Sequence, residues 1–162
     1  MRKETIVSNA SPLIGLSILR KLDLLKSLYN EVLIPQAVYR EVVVDGAEDP
    51  GAEEVKRAIE EGWMRVLTVK DKVAVTALMD PLSDGEAETI ILALEKDIPQ
   101  VIIDEKAARK KAEIMGLEVI GTLGILLLGM LEGVPMDMKK EMDRLRKEGF
   151  RISNELCNKI LK

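Results

Sequence analysis

The feature that most constrains this chain is an alternation. Short β-favouring runs recur at Thr5–Ser8, Glu31–Ile34, Met64–Val69, Gln100–Ile103 and Leu117–Ile120, with helix-forming segments between them. Pro12–Tyr29 carries Leu13, Leu16, Leu19, Leu22 and Leu25 at helical spacing with Pro near its start, which predicts one helix. Pro35–Val44 puts Pro at a first helical position, with Val38 and Val42 on one face. Asp49-Pro50-Gly51 signals a turn, and Glu53–Glu61 is amphipathic and stops at Gly62. Ser83-Asp84-Gly85-Glu86 has the Ser-x-x-Glu form of a capping box, opening a helix that runs to about Lys96. Glu105–Met115, Thr122–Leu131 and Met136–Glu148 read as further helices, and Ile152–Leu161 as a last short one. Strands separated by helices predict an α/β fold, a three-layer α/β/α arrangement around a mostly parallel central sheet. The 162 residues are one domain's worth, with a C-terminal helical extension from about 136 to 162.

Composition narrows the chemistry. The chain has no His, which removes Ser-His-Asp, Cys-His and His-ligated zinc schemes together. A single Cys157 makes an internal disulfide impossible, and with no signal-like N-terminus a reducing cytoplasm is expected. Any metal must therefore be held by oxygen, which selects hard cations such as Mg²⁺ or Mn²⁺. The longest apolar run, Gly121–Leu131, is well short of the roughly 20 residues of a membrane span. Its apolar residues suit a core or a dimer interface. A net charge of −4 argues against a non-specific nucleic-acid coat but leaves room for one local basic surface. Abundant Glu and Lys with two Gln hint at a thermophilic source.

In parallel sheets, ligands bind beyond the carboxyl ends of the strands. Two strand ends carry a polar residue directly after buried-type ones: Ile6-Val7-Ser8-Asn9 and Val101-Ile102-Ile103-Asp104. Glu41 and Glu86, each on a helix, are placed to join them. Lys106, Arg109, Lys110 and Lys111 follow Asp104 as a basic set, either a solvated helix face or a surface that positions phosphate. Asn9 and Ser11 are equally placed to cap the helix after them, Glu86 to close the box with Ser83, and Asp104 to cap its own following helix.

These residues resemble a known family. Asn9-x-Ser11 is similar to the Asp-x-Ser opening of PIN domains, the VapC-like nucleases. Ile34-Pro35-x-x-Val38-Tyr39-x-Glu41 resembles the segment of the family's second acid. Gly85-Glu86-Ala87-Glu88 before Ile90-Ile91-Leu92-Ala93 resembles its third, and Ile102-Ile103-Asp104 its fourth. The likeness runs on through Gly116–Thr122 and is nearest to a prokaryotic PIN-like subgroup.

The resemblance implies a Mg²⁺- or Mn²⁺-dependent endoribonuclease acting on single-stranded or looped RNA, often the toxin of a toxin–antitoxin pair. It implies a homodimer, with an antitoxin protein as a further partner. In that scheme Glu41, Glu86 and Asp104 bind metal directly or through water, with Glu88 or Asp84 as alternates to Glu86. Asn9 stands at the first metal position, and Ser11 bonds a metal-bound water or a phosphate oxygen. Lys106, Arg109 and Lys110 would hold nucleic acid. The chain departs from the family at Asn9, where Asp is typical: the amide keeps an oxygen for a cation and gives up the charge. The alternative is a weakened or inactive PIN-like module that binds RNA or protein. A receiver-like phosphorylated domain ranks last, since Asn9 stands without the acidic pair it needs.

Overall fold

The computed structural model describes residues 3–152 and 158–160. Five parallel strands form one sheet: β1 (Thr5–Ser8), β2 (Glu31–Pro35), β3 (Met64–Leu67), β4 (Gln100–Ile102) and β5 (Glu118–Ile120), in the order β3-β2-β1-β4-β5. Alternation along the strands divides the core in two. Ile6, Val32, Ile34 and Ile102 face one layer, while Val7, Leu33, Val101 and Ile103 face the other. Because both faces are covered, the strands read as nearly unbroken apolar runs. The architecture is the expected three-layer α/β/α.

The first layer holds α1 (Ala10–Ile18), α2 (Asp23–Leu28), α4 (Ala52–Glu61), α8 (Thr122–Leu131) and α9 (Met138–Lys147). The second holds α5 (Lys72–Leu78), α6 (Asp84–Glu95) and α7 (Lys106–Ile114). Between β2 and α4, α3 (Gln36–Tyr39) continues directly into a π-helical segment, Arg40–Asp45. Its Val42 and Val43 are both buried in the first core layer.

The long helix expected over Pro12–Tyr29 is two helices, broken where Arg20 takes φ 58°. The leucine spacing carries across the break because Leu19 and Leu22, inside the turn, are buried as well. Pro35 ends β2 in extended conformation rather than occupying the first helical position. α5 has no counterpart among the expected elements; Asp71 caps it by accepting from the Ala74 amide. The capping box is formed as expected, the Glu86 N–H donating to Ser83 Oγ and the Ser83 N–H to Glu86 Oε1. Thr122–Leu131 is helical over the expected span, with Ile125, Leu126 and Gly129 buried and Leu131 exposed. The helix expected over Ile152–Leu161 lies mostly outside the described residues, as does Cys157. Among the described residues, no helix is long and apolar enough to cross a membrane.

Candidate active site

The strand order reverses direction at β1, leaving a crevice beyond the carboxyl ends of β1 and β4. Asn9 and Asp104 lie just beyond those two strands, and the Asn9 backbone N–H donates to Ile102 O at 3.0 Å, fastening the two ends together. Asn9 is the residue before α1, yet its side chain makes no capping bond. It is 5% exposed, and its Oδ1 points at Gly85. A methyl carbon on Gly85 would lie 3.4 Å from Asn9 Oδ1 and 3.4 Å from Glu41 Oε1. The two oxygens therefore face one small space, at most twice that distance apart. Only glycine, at the first turn of α6, leaves that space free.

Glu41 is carried by the π-helical segment, a wide-turn geometry that recurs at functional sites. The residue as a whole is exposed, but the carboxyl end lies against α6. Partial burial of that end, with Asp84, Glu86 and Asp45 adding like charge, holds its pKa above the ordinary glutamate value. The folded protein thus keeps this proton more tightly than the unfolded chain. Stability contributed here falls as pH rises from the ordinary glutamate range through the raised pKa. Glu41→Gln is therefore expected to match wild type below that range and exceed it above, by under about 1 kcal/mol for so exposed a group. Urea denaturation in EDTA across that pH span reads the difference; a variant less stable at neutral pH would contradict the repulsion.

Asp104 has the densest set of bonds. Its Oδ1 accepts from the Thr122 amide at 2.7 Å, and its Oδ2 from the Thr122 hydroxyl at 2.6 Å and the Ser11 hydroxyl at 3.4 Å. It therefore caps α8, across the sheet end, and not the helix that follows it; Glu105 precedes α7 without a side-chain cap. Ser11 likewise spends its hydroxyl on Asp104 rather than on its own helix. Thr122 is buried and is absent from the residues that the sequence singles out, although a lone polar residue opening an apolar helix is an available signal.

At Gly121 the space is tighter, and any larger residue would force a neighbouring side chain to move. A Cβ there would stand 2.7 Å from Arg109 Nη1 and 2.9 Å from Asp104 Oδ1. Arg109 Nη1 donates to Ile103 O at 2.9 Å, so its guanidinium is tucked beside Asp104 instead of lying in open water. Lys106 and Lys110, on the same helix, are exposed.

The expected third acid is less simply placed. Glu86 spends Oε1 on the capping box, though its charge still reaches Glu41. Glu88 anchors the start of α3, its Oε1 accepting from the Ala37 backbone N–H at 3.1 Å. Asp84 is a stronger electrostatic neighbour of Glu41 than Glu86 is, and it pairs with Arg40 at 4.0 Å. Among the described residues, no group of three acids is close enough to hold a metal ion by itself. The donors at hand, an amide oxygen and carboxylates with surplus negative charge, nonetheless suit a hard divalent cation that would relieve the repulsion.

Comparison with known proteins bears on the fold and the family. A family model described as PIN domain matches residues 5–162. The chain belongs to the PIN-domain family. PIN domains are generally metal-dependent nucleases that act on nucleic acid, and they typically use divalent metals. Among solved structures, this PIN domain is similar to "a PilT N-terminus domain protein SSO1118" from the hyperthermophilic archaeon Sulfolobus solfataricus P2. The two share 20% identity with a TM-score of 0.60, over 82% of this chain and 98% of the other. That likeness is one of fold. No curated protein matches the chain.

Proposed function

We propose that this PIN domain is an endoribonuclease, dependent on Mg²⁺ or Mn²⁺, that cuts single-stranded or looped RNA. The observation that supports the reading is the pair of oxygens, Asn9 Oδ1 and Glu41 Oε1, each 3.4 Å from where a Cβ on Gly85 would lie, with Asp104 two residues beyond the neighbouring strand β4. Asn9, Glu41 and Asp104 would hold the cation, with Asp84 or Glu86 adding negative charge. When bound, a divalent cation supplies water activation and neutralises charge on phosphate oxygens. The protein's own groups do the rest. Ser11, with its proton on Asp104, presents its hydroxyl oxygen to a water there, or turns the proton to a phosphate oxygen when substrate displaces that bond, and Thr122 keeps the Asp104 carboxylate in one orientation. Lys106, Arg109 and Lys110 draw the RNA backbone toward that carboxylate. The whole of 1–162 acts as one such domain, with its C-terminal helical part from about 136 onward. Toxin function, an antitoxin partner, a homodimer and a cytoplasmic setting extend the same reading.

A second reading has one observation in its favour. The buried first position is a neutral amide, so the fold would serve as an RNA- or protein-binding module with weakened chemistry. The deciding experiment incubates purified protein with a mixed single-stranded RNA pool in Mn²⁺, in Mg²⁺ and in EDTA. Cleavage in the divalent ions that stops in EDTA is the expected result. No cleavage, together with no calorimetric Mn²⁺ binding, would overturn the enzyme reading.

A further inference from the structure

The crevice does not close at Asp104. The same carboxylate lines a cavity of about 1160 Å³ bounded by α7, β5 and α8 and, from the C-terminal part of the chain, by Leu145, Phe150, Ile152 and Ile160. That is as large as the roughly 300–1,000 Å³ pockets that enclose drug-sized ligands. Its charged lining is Lys106, Arg109, Lys110 and Arg151 against Asp104 and Glu113, a positive surplus in a chain whose net charge is −4. Lys106, Lys110 and Arg151 form no ion pair with a described residue. The remaining walls are of the opposite kind: Ile120, Leu123, Leu127 and Phe150 line the cavity half-buried, and Ile114 stands 68% exposed at it.

Cations beside an apolar surface complement one ligand chemistry well, a polyanion whose uncharged parts are flat and apolar. A nucleotide with its base out of the stack has that character, whereas a duplex keeps its bases inside and presents only phosphate and sugar. We propose that this cavity is a subsite for an unstacked nucleotide of single-stranded RNA, next to the phosphate at Asp104. The base lies against Ile120, Leu123 and Ile114, and the flanking phosphates meet Lys106 and Lys110. The proposal rests on the RNA-cleaving reading and adds to it the place where the neighbouring nucleotide is held.

The test separates binding from cleavage. Anisotropy in EDTA compares a labelled single-stranded RNA, the same backbone with its bases removed, and the annealed duplex. Wild type is expected to favour the base-bearing strand over the abasic one by about tenfold, the gain from burying roughly 50 Å² of apolar surface against these aliphatic side chains. Leu123→Ser and Ile114→Ser change no charge and should erase most of that preference, while Leu131→Ser, exposed and outside the cavity, should keep it. Ile114 is on the surface, so its variant remains informative should Leu123→Ser fold poorly. Equal binding of base-bearing and abasic strands, a preference for duplex, unchanged preference in both cavity variants, or no RNA binding would each overturn the subsite. Mn²⁺-dependent cleavage by the same wild-type protein decides the ribonuclease reading separately.

Discussion

Asparagine at position 104 is expected to leave the fold almost intact and to cut metal-dependent cleavage by at least about a hundredfold. The amide has the shape of the carboxylate, and its oxygen still accepts from the Thr122 N–H that opens α8. What it loses is the second acceptor, which now serves the hydroxyls of both Thr122 and Ser11. Those hydroxyls can rotate and accept from the new NH₂, so the stability loss should stay within about 1–2 kcal/mol. The negative charge has no such replacement. Initial rates on single-stranded RNA in Mn²⁺, with melting temperatures alongside, measure both halves. A variant that cuts at the wild-type rate would reduce Asp104 to the cap of α8. Asp104→Ala is the less informative change, because it removes the cap as well.

The second large effect is expected from Asn9→Asp, and its size depends on the solution. The new carboxylate would be almost wholly buried, facing Glu41 across the gap that Gly85 leaves open. Glu41 already bears the charge of Asp84, Glu86 and Asp45. In EDTA the variant should therefore lose about 3–5 kcal/mol of stability at neutral pH, the cost of a buried charge that gains no partner. With Mn²⁺ the loss should shrink. An ion present at a hundred times its Kd adds about 2.7 kcal/mol, and the second carboxylate should tighten that Kd. Denaturation with and without Mn²⁺, and cleavage in parallel, are the measurements. Faster cleavage by the variant means that the natural amide weakens the site; an unchanged rate means that its carbonyl oxygen suffices. Equal stability in EDTA with no gain from Mn²⁺ would show that Asn9 and Glu41 do not share a site.

What can be read from the sequence is mostly local. Ser83 and Glu86 are three residues apart and bond each other, so a four-residue pattern is enough to find them. The strands are legible because burial on both faces leaves continuous apolar runs. The break at Arg20 is not, since spacing reports which side chains are buried and not the backbone that puts them there. α5 has a single buried side chain, Val75, and so too little pattern to see. At the site, Asn9 and Asp104 stand out as polar residues at strand ends, while Glu41 is singled out only by its place in the family-like set. Their partners do not. The bond from Ala37 to Glu88 spans 51 residues, and nothing in the local sequence around Glu88 assigns that carboxylate to α3. Gly85 and Gly121 are readable as turn or motif glycines. Their real contribution, the space for two oxygens at one and for a guanidinium beside a carboxylate at the other, exists only after the chain has folded.

The bond from Ser11 to Asp104 joins residues 93 positions apart, and Asp104 is further secured by Thr122, later still in the chain. As the polypeptide leaves the ribosome, Asn9, Ser11 and Glu41 emerge long before the strand that completes their crevice. A partly made chain carries one half of the site with nothing opposite it. For the ribonuclease proposed above, this order of assembly would delay completion of the site until α8 has been made.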